Sequence, residues 1–459
     1  MIPTWRLILF SLPAIPAAML LIPVTVHLPA FYAREVGLGL SVVGVILFVT
    51  RLWDVIIDPL IGSLSDRIPT RFGRRRPWIV LGAPLTVAAM WLLFRPPVDA
   101  GPIYLLCAGL LLYLGWTMMV LPYQAWAAEL SPDYHERSRI AGWREGFGVI
   151  GTLIALVLPV AVGVGSDAGA NLSFLALLVL VSLPIAVIAA LAVLGEPKRP
   201  VGETVLSWRA GVSALRHNGP FKRLILAYLL NGFANGLPPT LFLLYVGDVL
   251  KSPEQAGLAL VIYFAAGVLA APFWIWVSKR VGKHRAWVAS MIWACLFFMA
   301  VPFLGAGDAP IFLAICVLTG ISFGADLALP ASMQADVIDL DAARSGGARA
   351  GLYFALWAMA SKLALAVAVG LAFPILDWAG YAEGGDNSRS SLLILALLYG
   401  FAPVLFKVAA IIMMWRYPLT AARHAKLRGL LEERRRRKEM ANASDIERAG
   451  RRIAPAVGV

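Results

Sequence analysis

Long runs of apolar residues, separated by short polar segments, occupy most of the chain. Each run holds roughly 20 or more mostly apolar residues, the length that an α-helix needs to cross the hydrocarbon core of a bilayer. Barrel strands are shorter and alternate in polarity, so continuous runs favour helices. The pattern predicts an all-α membrane protein with twelve transmembrane spans, which begin near residues 7, 39, 78, 101, 141, 172, 222, 254, 286, 309, 350 and 391.

Two motifs recur in the second half of the chain at a nearly constant spacing. GRRRPW at 73–78 returns as GKHRAW at 282–287, 209 positions later. LPYQAWAAELSPDYHERS at 121–138 has a counterpart in LPASMQADVIDLDAARSG at 329–346, 208 positions later. Because six spans return the chain to the side where it began, both halves enter the membrane in the same orientation. Such parallel repeats are the arrangement of the major facilitator fold.

The repeats predict four segments along the chain. These are an N-terminal six-helix bundle at 1–195, a cytoplasmic inter-bundle loop at 196–221, a C-terminal six-helix bundle at 222–417 and a charged cytoplasmic tail at 418–459. In this arrangement one bundle rocks against the other around a central site.

The composition and the placement of charge agree with a membrane protein. Hydrophobic residues make up 60% of the chain and charged residues 15%, against about 45–50% and 25% in soluble domains. The net charge is +13, and basic residues crowd alternate loops, at 67–76, 196–223 and 278–285. The positive-inside rule then predicts a multi-pass protein of the plasma (bacterial inner) membrane with both termini cytoplasmic. Its basic loops face lipid headgroups, not nucleic acid.

Two acidic residues inside the second predicted span indicate a site. Asp54 and Asp58 are four residues apart, so on a helix they share one face, about one turn after Arg51. A charge inside the bilayer is unfavourable by about 3 kcal/mol or more and usually faces a partner or a water-filled cavity. Two interpretations stay open: a cation site, or a structural ion pair of these acids with Arg51 or with Lys362 of the eleventh span.

The sequence carries no recognisable catalytic or metal-binding signature. Its three cysteines lack a paired spacing, its five histidines are scattered, and P-loop, HExxH and GxSxG patterns are absent. We therefore expect neither an enzyme nor a cofactor, and no metal beyond a possible Na⁺ at Asp54 and Asp58.

The connector after the second span predicts a cytoplasmic gate. GSLSDRIPTRFGRRRP resembles the loop signature between the second and third spans of major facilitator proteins, which latches the cytoplasmic side in the outward-facing state. Charges near the fourth loop are expected to join this gate. The expected gate residues are Gly62, Asp66, Arg67, Gly73, Arg74, Arg75, Glu129, Asp133, Glu136 and Arg137.

A closer resemblance rests on RLWDVIIDPLIG, RFGRRRPWI, LPYQAWAAEL with DYHER, ADVIDLD and a lysine in MASKLALAV. Together these motifs, over about residues 1 to 420, resemble the glycoside-pentoside-hexuronide:cation symporters of the major facilitator superfamily. That resemblance implies uptake of a sugar coupled to Na⁺, Li⁺ or H⁺. It also implies that Asp54 and Asp58 bind the cation, that Thr117 and Lys362 lie close to them, and that Arg144 lines the sugar cavity.

The chain departs from this family where melibiose carriers bind sugar. Small or apolar residues, Ala17, Ala18 and Val120, align with sugar-binding carboxylates, and Gln124 replaces a stacking aromatic. Other polar and aromatic side chains are therefore expected to contribute. Alternatively, Arg144 and Glu145 could form an ion pair with each other, and Asn231 and Asn235 could join helices by hydrogen bonds. The expected substrate residues are Arg144, Gln124, Tyr123, Trp126, Asp326, Asn231, Asn235 and Trp357.

The sequence thus predicts secondary active transport. We expect cation-coupled symport, driven by H⁺ or Na⁺, of a sugar- or glycoside-type small molecule by alternating access, with the monomer as the functional unit. The departures leave an amphipathic, lysolipid-like or other organic solute as an alternative. A non-transporting membrane sensor or assembly factor is the second alternative, although such a protein need not keep the acidic pair.

Overall fold

The computed structural model describes residues 2–68, 70–131, 134–164, 167–196, 218–345, 350–382 and 386–419. Within these ranges the chain forms helices joined by short loops, and the only extended pairing is an isolated bridge between Thr70 and Gly73. Most of the predicted inter-bundle loop and nearly all of the predicted tail lie outside the described residues.

The helices follow the predicted apolar runs in order and are numbered as spans 1 to 12. Spans 1, 7 and 12 each contain a five-residue π-helical turn. Span 1 comprises Thr4–Ser11, Ala14–Met19, the π turn Pro23–His27 and Leu28–Arg34, and spans 2 to 6 are Leu40–Arg67, Arg76–Phe94, Pro102–Glu129, Tyr134–Val162 and Ala168–Val193. Span 7 is Gly219–Leu244 with the π turn Tyr245–Val249, and spans 8 to 11 are Ala256–Val281, Lys283–Phe298, Ala309–Ser345 and Ala350–Trp378. Span 12 comprises Arg389–Ala396, the π turn Leu397–Phe401 and Ala402–Trp415.

Among the described residues, eleven of these spans are long and apolar enough to cross a membrane. Span 7 is long enough, but Asn231, Asn235, Pro238 and Pro239 interrupt its apolar stretch. It packs along spans 11 and 12. The twelfth predicted run is therefore a helix of the bundle whose polarity reflects the buried network described below.

Local sequence explains where several spans begin and end. Asp167, Asn218 and Ser388 each precede a span and accept a hydrogen bond from the backbone N–H three residues later. Gly282, with φ at 92°, reverses the chain between spans 8 and 9, and its repeat partner Gly73, with φ at 108°, precedes span 3. Because glycine adopts this left-handed conformation without steric penalty, the repeated GRRRPW and GKHRAW motifs encode the same turn.

Spans 2 and 11 form the most extensive contact between the predicted halves. A Cβ atom on Gly44 of span 2 would lie 2.7 Å from the Cβ of Phe373 in span 11, and a Cβ on Gly370 would lie 3.0 Å from the Cβ of Phe48. We call these four residues the outer seam, because they lie near the ends of both spans that are predicted to face outward. The acids of span 2 follow the seam toward the predicted cytoplasmic side.

Candidate functional site

The structure brings Asp54, Asp58, Thr117 and Lys362 together at the contact of spans 2, 4 and 11. Lys362 Nζ lies 2.7 Å from Asp54 Oδ1 and 2.7 Å from Asp58 Oδ2. The Thr117 hydroxyl lies 3.2 Å from Asp54 Oδ1 and 3.0 Å from Asp58 Oδ1. The juxtaposition expected from the sequence is therefore present, and Lys362 is the partner that the acids use.

Burial within this cluster is uneven. Asp54 is 2% exposed and Thr117 is 1% exposed, whereas the side chains of Asp58 and Lys362 are 24% and 23% exposed. One face of the cluster is thus closed by protein and the other is accessible through Asp58 and Lys362.

Helix geometry and close packing position the cluster. The four-residue spacing places Asp54 and Asp58 on one face of span 2. Gly109 lets span 4 approach span 2, because a Cβ there would lie 2.8 Å from Thr50 Cγ2. Pro59 lies within the span 2 helix and has no N–H, so the carbonyl of Val55 loses its helical donor.

Arg51 does not pair with the two acids. Its guanidinium lies over the Tyr113 ring, 5.2 Å from the ring centroid. The alternative in which Arg51 satisfies Asp54 or Asp58 by a direct ion pair is therefore not what the structure shows.

Asp326, Asn231 and Asn235 form a second polar cluster, in the C-terminal half. Asp326 accepts hydrogen bonds from Asn231 Nδ2 at 3.0 Å, Asn235 Nδ2 at 2.8 Å and Trp287 Nε1 at 2.6 Å. Lys407 Nζ donates to the two asparagine oxygens at 2.8 and 2.7 Å and lies 3.9 Å from Asp326 Oδ2. The expected residues meet, but they are occupied by one another and by Lys407.

Lys407 is the member of this cluster that the sequence reasoning missed. It lies in span 12, is 3% exposed, and interrupts the apolar stretch LFKVAAIIMM. A charge in the middle of such a run was the available signal, since an intramembrane ionisable residue needs a partner.

Arg144, Gln124, Tyr123 and Trp126 line one cavity of about 200 Å³ among spans 1, 3, 4, 5 and 6. Arg144 forms an ion pair with Glu145 at 2.8 Å, which is the alternative that the sequence left open. Tyr123 is 6% exposed and donates to the Phe10 carbonyl at 2.9 Å, and Trp126 is fully buried. These two aromatic side chains therefore serve mainly to pack the helices together. Arg144 and Gln124 are more accessible from this cavity than they are.

Trp357 lies apart from that cavity. Its ring stacks on Tyr228 with the centroids 3.8 Å apart, and the Tyr228 hydroxyl shares a hydrogen bond of 3.0 Å with Ser361. The eight expected substrate residues are therefore divided among three places, and the described structure does not gather them into one pocket.

Three of the expected gate residues, Arg74, Arg75 and Glu129, form a network at the ends of spans 2, 3 and 4 that are predicted to be cytoplasmic. Arg75 bonds Ser65 at 2.8 Å and Glu129 at 3.0 Å, and Arg74 also pairs with Glu129. Glu196, which was not expected, accepts from the backbone N–H groups of Arg74 and Arg75.

The remaining gate expectations are met in part. Gly62 lies in span 2 beside Leu121, and Gly73 lies against Glu196. Glu136 pairs with Arg139 at 3.1 Å and accepts from the N–H of Ile2 at 2.9 Å, so it holds the N-terminal segment. Asp133 and the side chains of Asp66, Arg67 and Arg137 lie outside the described part of the structure.

Comparison with known proteins places this chain in a family. Residues 9–421 match the family described as MFS/sugar transport protein. The chain belongs to this family. A sodium-dependent lysophosphatidylcholine symporter 1-B of Danio rerio is 27% identical over 435 residues, which cover 85% of this chain and 82% of that protein. A protein of Escherichia coli (strain K12) named as glycoside/cation symporter YagG is 26% identical over 407 residues, covering 86% and 87%.

Solved structures share the fold. The nucleoside transporter NupG has a TM-score of 0.66 at 13% identity and covers 89% of this chain and 99% of its own. A bacterial homologue of the iron transporter ferroportin in an inward-facing state has a TM-score of 0.65 at 15% identity, covering 90% and 97%. The predicted major facilitator fold is confirmed, and the protein is a multi-pass membrane transporter, not an enzyme.

Proposed function

We propose that the protein is a cation-coupled symporter whose coupling ion, H⁺ or Na⁺, binds between Asp54 and Asp58. The observation that carries this proposal is the position of Lys362, whose ammonium contacts both carboxylates at 2.7 Å. The ammonium thus occupies the place where a coupling cation would meet both acids. The words sodium-dependent and cation in the names of two relatives support the same function.

Competition between the ion and Lys362 would link binding to movement. Lys362 belongs to span 11 and the two acids belong to span 2, so their ion pair joins the two predicted halves. A cation that takes over the carboxylates releases Lys362 and removes this attraction. The equilibrium then shifts toward the conformation in which spans 2 and 11 separate.

The two ions make different demands on the site. Na⁺ needs several oxygen ligands, and the two carboxylates and the Thr117 hydroxyl are available to it. A proton needs only one carboxylate. The ion dependence of uptake therefore identifies the ion.

A carbohydrate is the first candidate for the transported solute. The resemblance to glycoside-pentoside-hexuronide:cation symporters, the description of the matched family and the name of the Escherichia coli relative support it. Arg144, paired with Glu145, and Gln124 offer hydrogen-bonding groups for hydroxyls or a carboxylate within the cavity of about 200 Å³.

An amphipathic solute is the second candidate, and a specific feature favours it. A groove of about 680 Å³ runs along spans 3 and 6, beside the Arg144 cavity. The name of the Danio rerio relative, a lysophosphatidylcholine symporter, points the same way. The groove is lined by apolar and aromatic side chains, namely Val80, Ala83, Pro84, Val87, Ala88, Trp91, Leu92, Leu180, Pro184, Val187, Ile188 and Leu191.

Gradient-driven uptake tests the proposal. Uptake of glycosides, uronic acids and lysolipids is measured in proteoliposomes under imposed Na⁺ or H⁺ gradients. The proteins compared are the wild type, Asp58→Asn and the control Asp99→Asn. Asp99 is an exposed loop residue. We expect the wild type and Asp99→Asn to accumulate at least one solute when one of the gradients is present, and Asp58→Asn to lose accumulation. Equal behaviour of all three proteins, without any effect of either gradient, would refute symport and favour a non-transporting sensor.

A further inference from the structure

Glu145 is an acidic residue that is exposed within the membrane-crossing part of span 5. That part of the span begins at Arg139, so Glu145 lies about 9 Å further along the helix axis. Its side chain is 74% exposed. An ionised carboxylate at this depth is unfavourable against lipid tails and normally borders a water-filled cavity. The exposed face of span 5 at Glu145 therefore borders water.

The surroundings of Glu145 leave room for a solute. Gly142, Gly146 and Val149 share its helical face and are exposed, and a Cβ atom on either glycine would meet nothing within 4 Å. Gly148, which lines the cavity of about 200 Å³ together with Glu145, also has an empty Cβ position. One water molecule needs only about 10–15 Å³ of such a cavity. The cavity can therefore hold a small organic molecule beside the carboxylate.

Polar groups of this cavity are only partly matched by the protein. Among the described residues that line it, Glu145 is the only acid. Its Oε1 accepts a hydrogen bond from Arg144 Nη2 at 2.8 Å, whereas its Oε2 has no partner within the described part of the chain. The buried indole N–H of Trp126 lacks an acceptor there as well, and the Gln124 amide is exposed. The cavity thus offers both acceptors and donors to a solute.

Hydroxyl groups match this set of donors and acceptors better than a carboxylate does. Each hydroxyl both donates and accepts, so neighbouring hydroxyls can donate to Glu145 and accept from Arg144. A solute carboxylate has no hydrogen to donate, competes with Glu145 for Arg144, and places like charges side by side, which is unfavourable. Because the Arg144–Glu145 pair is formally neutral, an uncharged solute leaves the charge of the cavity balanced.

We propose that the transported solute is an uncharged polyhydroxylated compound and that Glu145 selects it by accepting hydrogen bonds from its hydroxyls. Arg144 holds one oxygen of Glu145 and leaves the other for the solute. Sugars and glycosides without an acid group belong to this class, whereas uronic acids and lysolipids do not. The inference rests on the proposed function, because it takes this cavity as the place where the transported solute binds.

Exchange in the absence of a gradient tests recognition separately from coupling. The full-length protein in proteoliposomes, with Na⁺ and pH equal on both sides, exchanges internal probe for labelled external probe. The neutral probes are methyl glucoside and methyl galactoside, and their anionic partners, methyl glucuronide and methyl galacturonide, carry a carboxylate in place of the hydroxymethyl group. Lysophosphatidylcholine is the amphipathic probe. We expect the wild type to exchange at least one neutral glycoside and to prefer it to its anionic partner.

Substitution of Glu145 tests its role in selection. Glu145→Gln should raise KM for the neutral glycoside about tenfold or more, because a hydrogen bond to a charged group is lost. It also frees Arg144, so the preference over the anionic partner should fall or reverse, a change that a merely structural role would not produce. Glu145→Asp, which keeps the carboxylate, should raise KM less. Glu254→Gln is the matched control, since Glu254 is exposed in the turn Pro253–Gln255, and it should leave KM and preference unchanged.

Several results would overturn the inference. One is an unchanged KM and preference in Glu145→Gln, or in Glu145→Ala where Glu145→Gln is not recovered as a folded protein. Others are a wild type that prefers the anionic partner, exchange of lysophosphatidylcholine without either neutral glycoside, and exchange of no probe at all. Failure of symport itself is distinguishable, because Na⁺ and H⁺ gradients would then have no effect although Glu145-dependent exchange of a neutral glycoside persisted.

Discussion

Lys362 and Lys407 are lysines deep in two spans of the C-terminal half, and their partners differ. Lys362 reaches acids of span 2, in the other half. Lys407 is held by Asn231 and Asn235 within its own half and faces Asp326 through them. Relative movement of the two halves changes the first set of contacts and leaves the second set intact. Under the proposed function, Lys362 takes part in coupling, whereas Lys407 supports the C-terminal half.

Neutralising one member of the second cluster should destabilise the protein. Asp326→Asn or Lys407→Met alone leaves a buried charge without its counter-charge, and breaking such a pair typically costs about 3–5 kcal/mol. The double variant removes both charges and should recover much of that loss. Thermal unfolding in detergent measures the effect, with Asp99→Asn as the exposed control. A double variant no more stable than either single variant would show that the charges do not act as a pair.

In the proposed mechanism, the contact between spans 2 and 11 changes during transport. The outer seam joins them by placing the ring of each phenylalanine on a glycine of the opposite span. Such reciprocal packing has no room for a methyl group at Gly44, because the nearest atom would be the Cβ of Phe373 at 2.7 Å. Since a Cβ atom is fixed to the backbone, rotation of the ring cannot relieve this contact, and the spans themselves must move apart.

Gly44→Ala should therefore shift the carrier toward the conformation that is open at the seam. Spin labels at Ser41→Cys and Trp378→Cys, in a background without the native cysteines, report the separation of spans 2 and 11. We expect a larger population at long distance in Gly44→Ala. Gly142→Ala is the matched control, since a Cβ there meets nothing within 4 Å. An unchanged distance distribution in Gly44→Ala would mean that the seam is not the outer gate.

For the whole molecule, the apolar pattern predicts the all-helical fold and its order of spans, because the bilayer thickness sets a minimum length for each helix. The repeated motifs at 73–78 and 282–287 were found from the sequence, but the positive φ of Gly73 and Gly282 is seen only in the structure. Helical spacing placed Asp54 and Asp58 on one face, and the family resemblance brought Thr117 and Lys362 to them. The functional roles of these residues stay predictions.

Contacts between distant spans were harder to predict. Lys407 and Trp287 complete the cluster around Asp326, yet each lies in another apolar span whose own pattern does not name its neighbour. Arg51 was one of two candidate ion-pair partners for the acids, and its guanidinium lies over the Tyr113 ring instead. The periodicity of one helix defines its face, but the packing of several helices decides which faces meet.

The central claim is that a cation competes with Lys362 for Asp54 and Asp58, and the cation affinity of Lys362→Met tests it most directly. Calorimetric titration with Na⁺ at alkaline pH measures the Na⁺ affinity of the purified protein, and proton uptake on acidification measures its H⁺ affinity. Both are compared among Lys362→Met, the wild type and Asp58→Asn. Removing the competing ammonium should tighten cation binding about tenfold or more, which corresponds to about 1.4 kcal/mol, whereas Asp58→Asn should abolish it. An affinity in Lys362→Met that is unchanged or weaker for both ions would contradict the account.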